Sequence, residues 1–152
     1  MSDRVDRPLV HILISVWDKA FIDKFVDFAL PTHVSPGNLP ALCGEARVHY
    51  HFYTNAVSAD YLENRTRALA RFATIHVRTF ESTLFEGHTL AQHLASYSGD
   101  AFKNHLNQFS VFHLLDDIAD KQPTEYLFVG DSDLLYSNCA FPSLLQALQS
   151  GA

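Results

Sequence analysis

Residues 9–16, Leu-Val-His-Ile-Leu-Ile-Ser-Val, are an almost unbroken run of branched apolar side chains. A strand with one wet face alternates apolar and polar residues, so an unbroken run calls for a strand covered on both faces, as at the centre of a parallel sheet. Asp18 then stands at a helix-cap position, and Phe21, Ile22, Phe25, Val26, Ala29 and Leu30 recur on one helical face until Pro31 stops it. A buried strand followed at once by an amphipathic helix commits the chain to a sheet with helices packed on it.

The rest of the chain repeats that alternation. Residues 36–40 read as a turn by composition, and residues 48–54 alternate as a second strand. Ser58 is placed to cap a helix carrying Tyr61, Leu62, Leu69 and Phe72, and residues 73–80 read as a third strand. Over residues 89–120 the apolar spacing becomes helical with a break near 98–100, which predicts two helices. Phe102, Leu106, Phe109, Phe112 and Leu115 form a stripe that reads, with Phe21 and Phe25, as packing against the sheet. Residues 126–130 make a fourth strand, and Pro142 opens a last helix through Leu148 that Gly151 ends. The order predicts a mainly parallel sheet with right-handed crossovers, a three-layer α/β/α Rossmann-like sandwich. With 152 residues and 47% hydrophobic content there is material for one sizeable core. The expected division is a polar leader over residues 1–8 and one α/β domain over 9–152.

The fourth strand ends in Asp131-Ser132-Asp133. Residues two apart in a strand point the same way, so the two carboxylates lean together over the carboxyl edge of the sheet, where open α/β folds bind ligands. Such a pair suits a hard divalent cation, magnesium or manganese, which completes its shell with water and substrate phosphates. The same three residues also suit a simple turn.

Composition narrows the partners. A formal charge of −6 with no basic patch argues against nucleic acid or an anionic membrane. The apolar run behind the leader is too short for a transmembrane segment or a secretion signal, so the expected location is cytoplasmic. Cys43 and Cys139 stand apart without ligand spacing and read as buried thiols. No Gly-x-Gly-x-x-Gly, Walker lysine or Gly-x-Ser-x-Gly elbow is present, which disfavours dehydrogenases, P-loop enzymes and α/β-hydrolases. Among nine histidines, His49 and His51 share one strand face but lack a Cys or acidic partner at ligand spacing. Trp17, just past the first strand, offers an aromatic face to a base or to the core.

Several segments together resemble the A-type glycosyltransferases, the nucleotide-diphospho-sugar transferase fold of bacterial glycosyltransferase-like proteins. They are residues 10–18, 29–31 and 35–42, Phe52-Tyr53-Thr54, residues 102–105, 128–133 and 137–141. The resemblance implies a nucleotide-sugar donor bound by Val16, Trp17, Asp18, Thr54 and Asp131, with Lys103 in reach of phosphate. It also implies a manganese or magnesium ion on Asp131 and Asp133, Asp133 being the better direct ligand. It assigns no catalytic residue and no acceptor. Transferases of this fold continue past the acidic pair with acceptor-binding strands, so the chain reads either as an amino-terminal half open to self-association or as a compact binding module. A magnesium-dependent phosphohydrolase, with Asp131 as nucleophile and Asp133 as acid/base, is the remaining reading of the same residue types.

Overall fold

The structure, a computed structural model, describes residues 7–83, 87–95, 99–118 and 125–151. Four strands, β1 (Leu9–Ser15), β2 (Arg47–Thr54), β3 (Thr74–Thr79) and β4 (Glu125–Asp131), pair in parallel in the spatial order β3-β2-β1-β4. The expected sheet is therefore present, with each strand within about two residues of its predicted bounds. The unbroken run in β1 has its predicted cause. Val10, Ile12 and Ile14 pack into one core cluster with Val48, Tyr50, Phe52 and Phe128, while Leu13 packs into a second, with Tyr53, on the opposite face.

Helices cover both faces. Between β1 and β2 the chain forms α1 (Lys19–Lys24), a π-helical turn (Phe25–Ala29), α2 (Leu30–His33) and α3 (Leu39–Glu45). Between β2 and β3 lies α4 (Ala59–Thr66), with 3₁₀ turns on either side. Between β3 and β4 come α5 (Phe80–Thr83), α6 (Leu90–Leu94) and α7 (Gly99–Asp117), and α8 (Ala140–Gln149) follows β4. Ile22, Phe25, Leu39, Leu42, Leu62, Phe141 and Leu145 cover one face of the sheet, and Phe102, Leu106 and Leu114 of α7 cover the other. This is a three-layer α/β/α arrangement.

Local readings fare less evenly. Pro31 does not stop the first helix: helical residues continue through it to His33, with the π-helical turn directly before it. Asp18 precedes α1 with a positive φ of 63°, and its carbonyl, not its carboxylate, takes the first helical N–H groups, those of Phe21 and Ile22. Ser58 likewise makes no side-chain cap. The turn over residues 36–40 runs directly into α3, which begins at Leu39 with Pro40 in its first turn. Phe109 and Phe112 are 47% and 62% exposed, so the buried stripe of α7 is Phe102, Leu106, Ser110 and Leu114. Phe21 is exposed rather than core, and neither cysteine is buried: Cys43 is half-buried and Cys139 exposed, both as free thiols. The expected leader lies mostly, and the helix break partly, outside the described residues. No described helix is long and apolar enough to cross a membrane.

Candidate functional site

The chain steps from β1 outward through β2 to β3, then returns to pair β4 on the other side of β1. Strand order reverses between β1 and β4, and in open α/β sheets the carboxyl ends at such a reversal open a ligand crevice. Ser15 and Asp131, the last residues of the two strands, are register partners at that point. The acidic pair thus lies at the carboxyl edge as expected, but only Asp131 belongs to the strand: Ser132 and Asp133 form a turn, with the Leu134 N–H on the Asp131 carbonyl at 3.3 Å.

Helix α7 reaches the pair from the side. Asn107 Nδ2 donates to Asp131 Oδ1 across 2.9 Å. One turn earlier, Lys103 Nζ stands 3.8 Å from Asp131 Oδ1 and 3.7 Å from Asp133 Oδ2. Residues four apart share a helix face, so one stripe of α7 supplies both contacts. Further along that stripe Ser110 is buried, and Ser15 Oγ donates to its hydroxyl across 3.4 Å, seating the helix on β1. Asp133 is mostly exposed and Asp131 about half so. The two carboxylates therefore share one ammonium and keep oxygen lone pairs open to solvent.

Beside them lies a cavity of about 530 Å³. Trp17, Phe21, Phe28 and Leu135 give it apolar walls, and Lys24, Lys103 and Asp133 supply its charge. The π-helical turn sets part of this wall, since it contains Phe28 and Ala29; such turns are frequent at functional sites. Phe28 is 69% exposed and Leu135 66%. Large apolar groups left open around a concavity are what a ligand's flat or apolar parts would cover.

The loop after the acidic pair is pinned from below. Asn38, fully buried, donates from Nδ2 to the carbonyls of Thr32 and Ser137 and accepts from the Phe141 N–H. Thr32 Oγ1 accepts from the Tyr136 N–H at 3.1 Å. Gly37 and Gly130 permit these close approaches. A Cβ at Gly37 would meet Asn138 Oδ1 at 2.0 Å, and one at Gly130 would meet the Tyr136 hydroxyl at 2.7 Å and Ile14 Cδ1 at 2.8 Å. Burial raises the Tyr136 pKa, and the nearby Asp131 carboxylate adds to the shift.

Of the residues expected to hold a nucleotide, Val16, Trp17 and Lys103 line the cavity with Asp133, and Asp131 joins them through Lys103. Thr54 and Asp18 do not line it. Thr54 is fully buried with its hydroxyl unpartnered among the described residues, and Asp18 is exposed and accepts from Asn55 Nδ2 at 3.2 Å. Sequence reasoning passed over Asn107, Lys24, Phe28 and Asn38. The i, i+4 spacing of Asn107 from Lys103 was the available signal for the first.

A second polar cluster lies on the α7 face of the sheet, toward the amino ends of the strands. His11 and His51 are buried, His49 and His76 half-buried. Arg78 Nη1 donates to His51 Nδ1 at 2.7 Å, which puts the His51 proton on Nε2. That Nε2–H faces His11 Nδ1 at 2.8 Å, and His11 Nε2–H in turn donates to Glu125 Oε1 at 2.6 Å. Asp117 holds the far side of Arg78. Burial pushes the His51 pKa down to about 2, and Arg78 lowers it further. His49 and His76 are lowered as well, first by burial.

No protein-family model matches the chain, and no curated protein matches it in sequence. Among solved structures, the apo crystal structure of mouse xyloside xylosyltransferase 1 is similar, with a TM-score of 0.57 and 12% identity over 93% of this chain. The likeness covers 49% of that chain, so this one spans about half its length. At that identity it shows the fold, a Rossmann-like α/β sheet shared with a glycosyltransferase.

Proposed function

We propose that the chain is glycosyltransferase-like and binds a nucleotide-sugar donor in the crevice between β1 and β4, with manganese or magnesium held by Asp131 and Asp133. The observation that carries this reading is the acidic pair at the strand-order reversal, sharing Lys103 beside an aromatic-walled cavity. The similar fold of a xyloside xylosyltransferase supports the class of ligand.

The donor set fits such a cation. Two carboxylates, one mostly exposed, offer hard oxygen ligands and leave room for water and phosphate oxygens. When bound, the cation neutralises the diphosphate and stabilises the charge that gathers on it as the sugar leaves. The chain's own residues do the rest. Asn107 orients the Asp131 carboxylate, and Lys103 moves from the carboxylates to a phosphate oxygen as the donor enters. Trp17 and Phe28 flank the donor's base or sugar and exclude water. No residue is assigned to acceptor activation, and transfer itself is proposed only for a protein that also carries acceptor-binding parts.

Calorimetric titration with uridine and guanosine diphosphates, with and without manganese, tests this on the wild type and Asp133→Ala. Binding is expected to require the metal and to weaken by roughly 1–3 kcal/mol in the variant, the cost of losing a charged partner. Equal affinity in both proteins, or none for either nucleotide, would remove the reading.

A further inference from the structure

Three neighbouring strands bring four histidines onto one face. His11 and His49 are register partners on β1 and β2, and His51 and His76 are partners on β2 and β3. One nitrogen from each of His11, His49 and His51 lies within 4.8 Å of the other two. We propose that these three imidazoles form a binding site for a borderline divalent transition metal, with zinc the natural occupant class, separate from the acidic pair.

Ligand chemistry and the outer contacts both favour it. Imidazole suits zinc, nickel and copper, whereas magnesium and manganese seek oxygen. Metal-bound histidines usually have their second nitrogen fixed by a carboxylate or another polar partner. Here Glu125 fixes His11 Nε2, and His76 Nε2 stands 3.2 Å from His49 Nδ1. Tetrahedral zinc with bonds of about 2.0–2.1 Å sets its nitrogens roughly 3.4 Å apart, so the 2.8 Å His11–His51 pair would open slightly, within a set already no wider than 4.8 Å. Half-buried His49 leaves a path of entry. The site lies about 13 Å from the acidic pair's edge along β1, four strand residues from His11 to Ser15.

Binding also demands one rearrangement. For His51 to offer Nε2, its proton must move to Nδ1, and Arg78 Nη1 must then turn away and keep only Asp117. No proton is lost in that exchange. The arginine therefore opposes the metal, which yields a test that a merely structural histidine network would not pass.

Cobalt(II), titrated into the full chain and followed by its visible ligand-field bands, is the probe. One equivalent is expected to give a tetrahedral spectrum that zinc displaces. Asp131→Asn/Asp133→Asn should keep it, as should His88→Ala/His93→Ala, which removes another close histidine pair. His49→Ala should weaken cobalt at least tenfold, and Glu125→Gln between tenfold and a hundredfold. Arg78→Gln, whose amide oxygen accepts the relocated Nδ1 proton, should tighten it. If His49→Ala fails to fold by circular dichroism, His49→Gln replaces it. Absence of the spectrum, its survival in the His49 variant, or weaker cobalt binding in Arg78→Gln overturns the proposal.

Discussion

Asn107 and Asp131 are joined by a 2.9 Å hydrogen bond that crosses from the middle of α7 to the last residue of β4. It commits one Asp131 oxygen, while the other makes no hydrogen bond among the described residues. Asn107→Ala should therefore weaken metal-dependent nucleotide binding by about 1 kcal/mol, the usual worth of such a bond, with little change in melting temperature. Titration calorimetry and thermal unfolding on the same samples check both halves.

Lys103 and the carboxylates predict opposite effects for two ligands. Without nucleotide, the ammonium competes with a cation for Asp131 and Asp133; with nucleotide, it becomes a partner for phosphate. Lys103→Met is expected to tighten manganese alone by a few-fold, the scale of an exposed ion pair, and to weaken nucleoside diphosphate. Weakening of both would show that the lysine does not stand in the cation's place.

Gly130→Ala should destabilise the protein by about 1–3 kcal/mol, the range for overpacking. The added methyl meets Tyr136 and the fully buried Ile14, which has nowhere to move. Urea unfolding measures the loss. A companion Gly130→Ala/Ile14→Val variant should recover part of it.

His33 predicts a loss of stability in acid. It is buried among Phe25, Tyr50, Tyr136 and Phe141, one nitrogen meets the Tyr50 hydroxyl at 2.5 Å, and burial lowers its pKa to about 4. A histidine depressed in the folded state takes up a proton on unfolding. Its contribution is intact above the unfolded value of about 6.5 and is lost as pH falls toward 4, by about 3 kcal/mol at that point. Denaturant melts at pH 7.5, 6 and 5 should show the decline. His33→Leu/Tyr50→Phe, which removes both ends of the hydrogen bond, should flatten it. The lowered His49, His51 and His76 act in the same direction and leave a residual slope.

Strand β4 is paired only with β1 among the described residues, and Val129 on it is 52% exposed. An open edge with an apolar side chain invites pairing with a second copy. Sedimentation across a concentration series should show self-association that Val129→Lys reduces. A monomer at every concentration would refute it.

The parts of this structure legible in the sequence are those set by long apolar periods. Residues 9–16 had to be a doubly covered strand, and the position of Asp131 at its neighbour's end followed from the alternation of elements. Contacts between distant segments were not legible. Asn38 carries no local sign that it will hold the carbonyl of Ser137, and His49 and His51 looked unpartnered because their third member, His11, comes from another strand. Phe21 shows the other limit, since helical spacing cannot separate a core face from a face that borders a cavity.

The placement of β1 between β2 and β4 also governs how the molecule is made. β1 leaves the ribosome before either of its sheet neighbours, and β2 can cover one of its edges early. The other edge waits for residues 125–131, and at typical elongation rates that wait lasts roughly 5–20 s. During it the nascent chain carries an apolar strand with one open side, the kind of transiently unpaired edge through which chains aggregate. The crevice that β1 and β4 share exists only once that interval has ended.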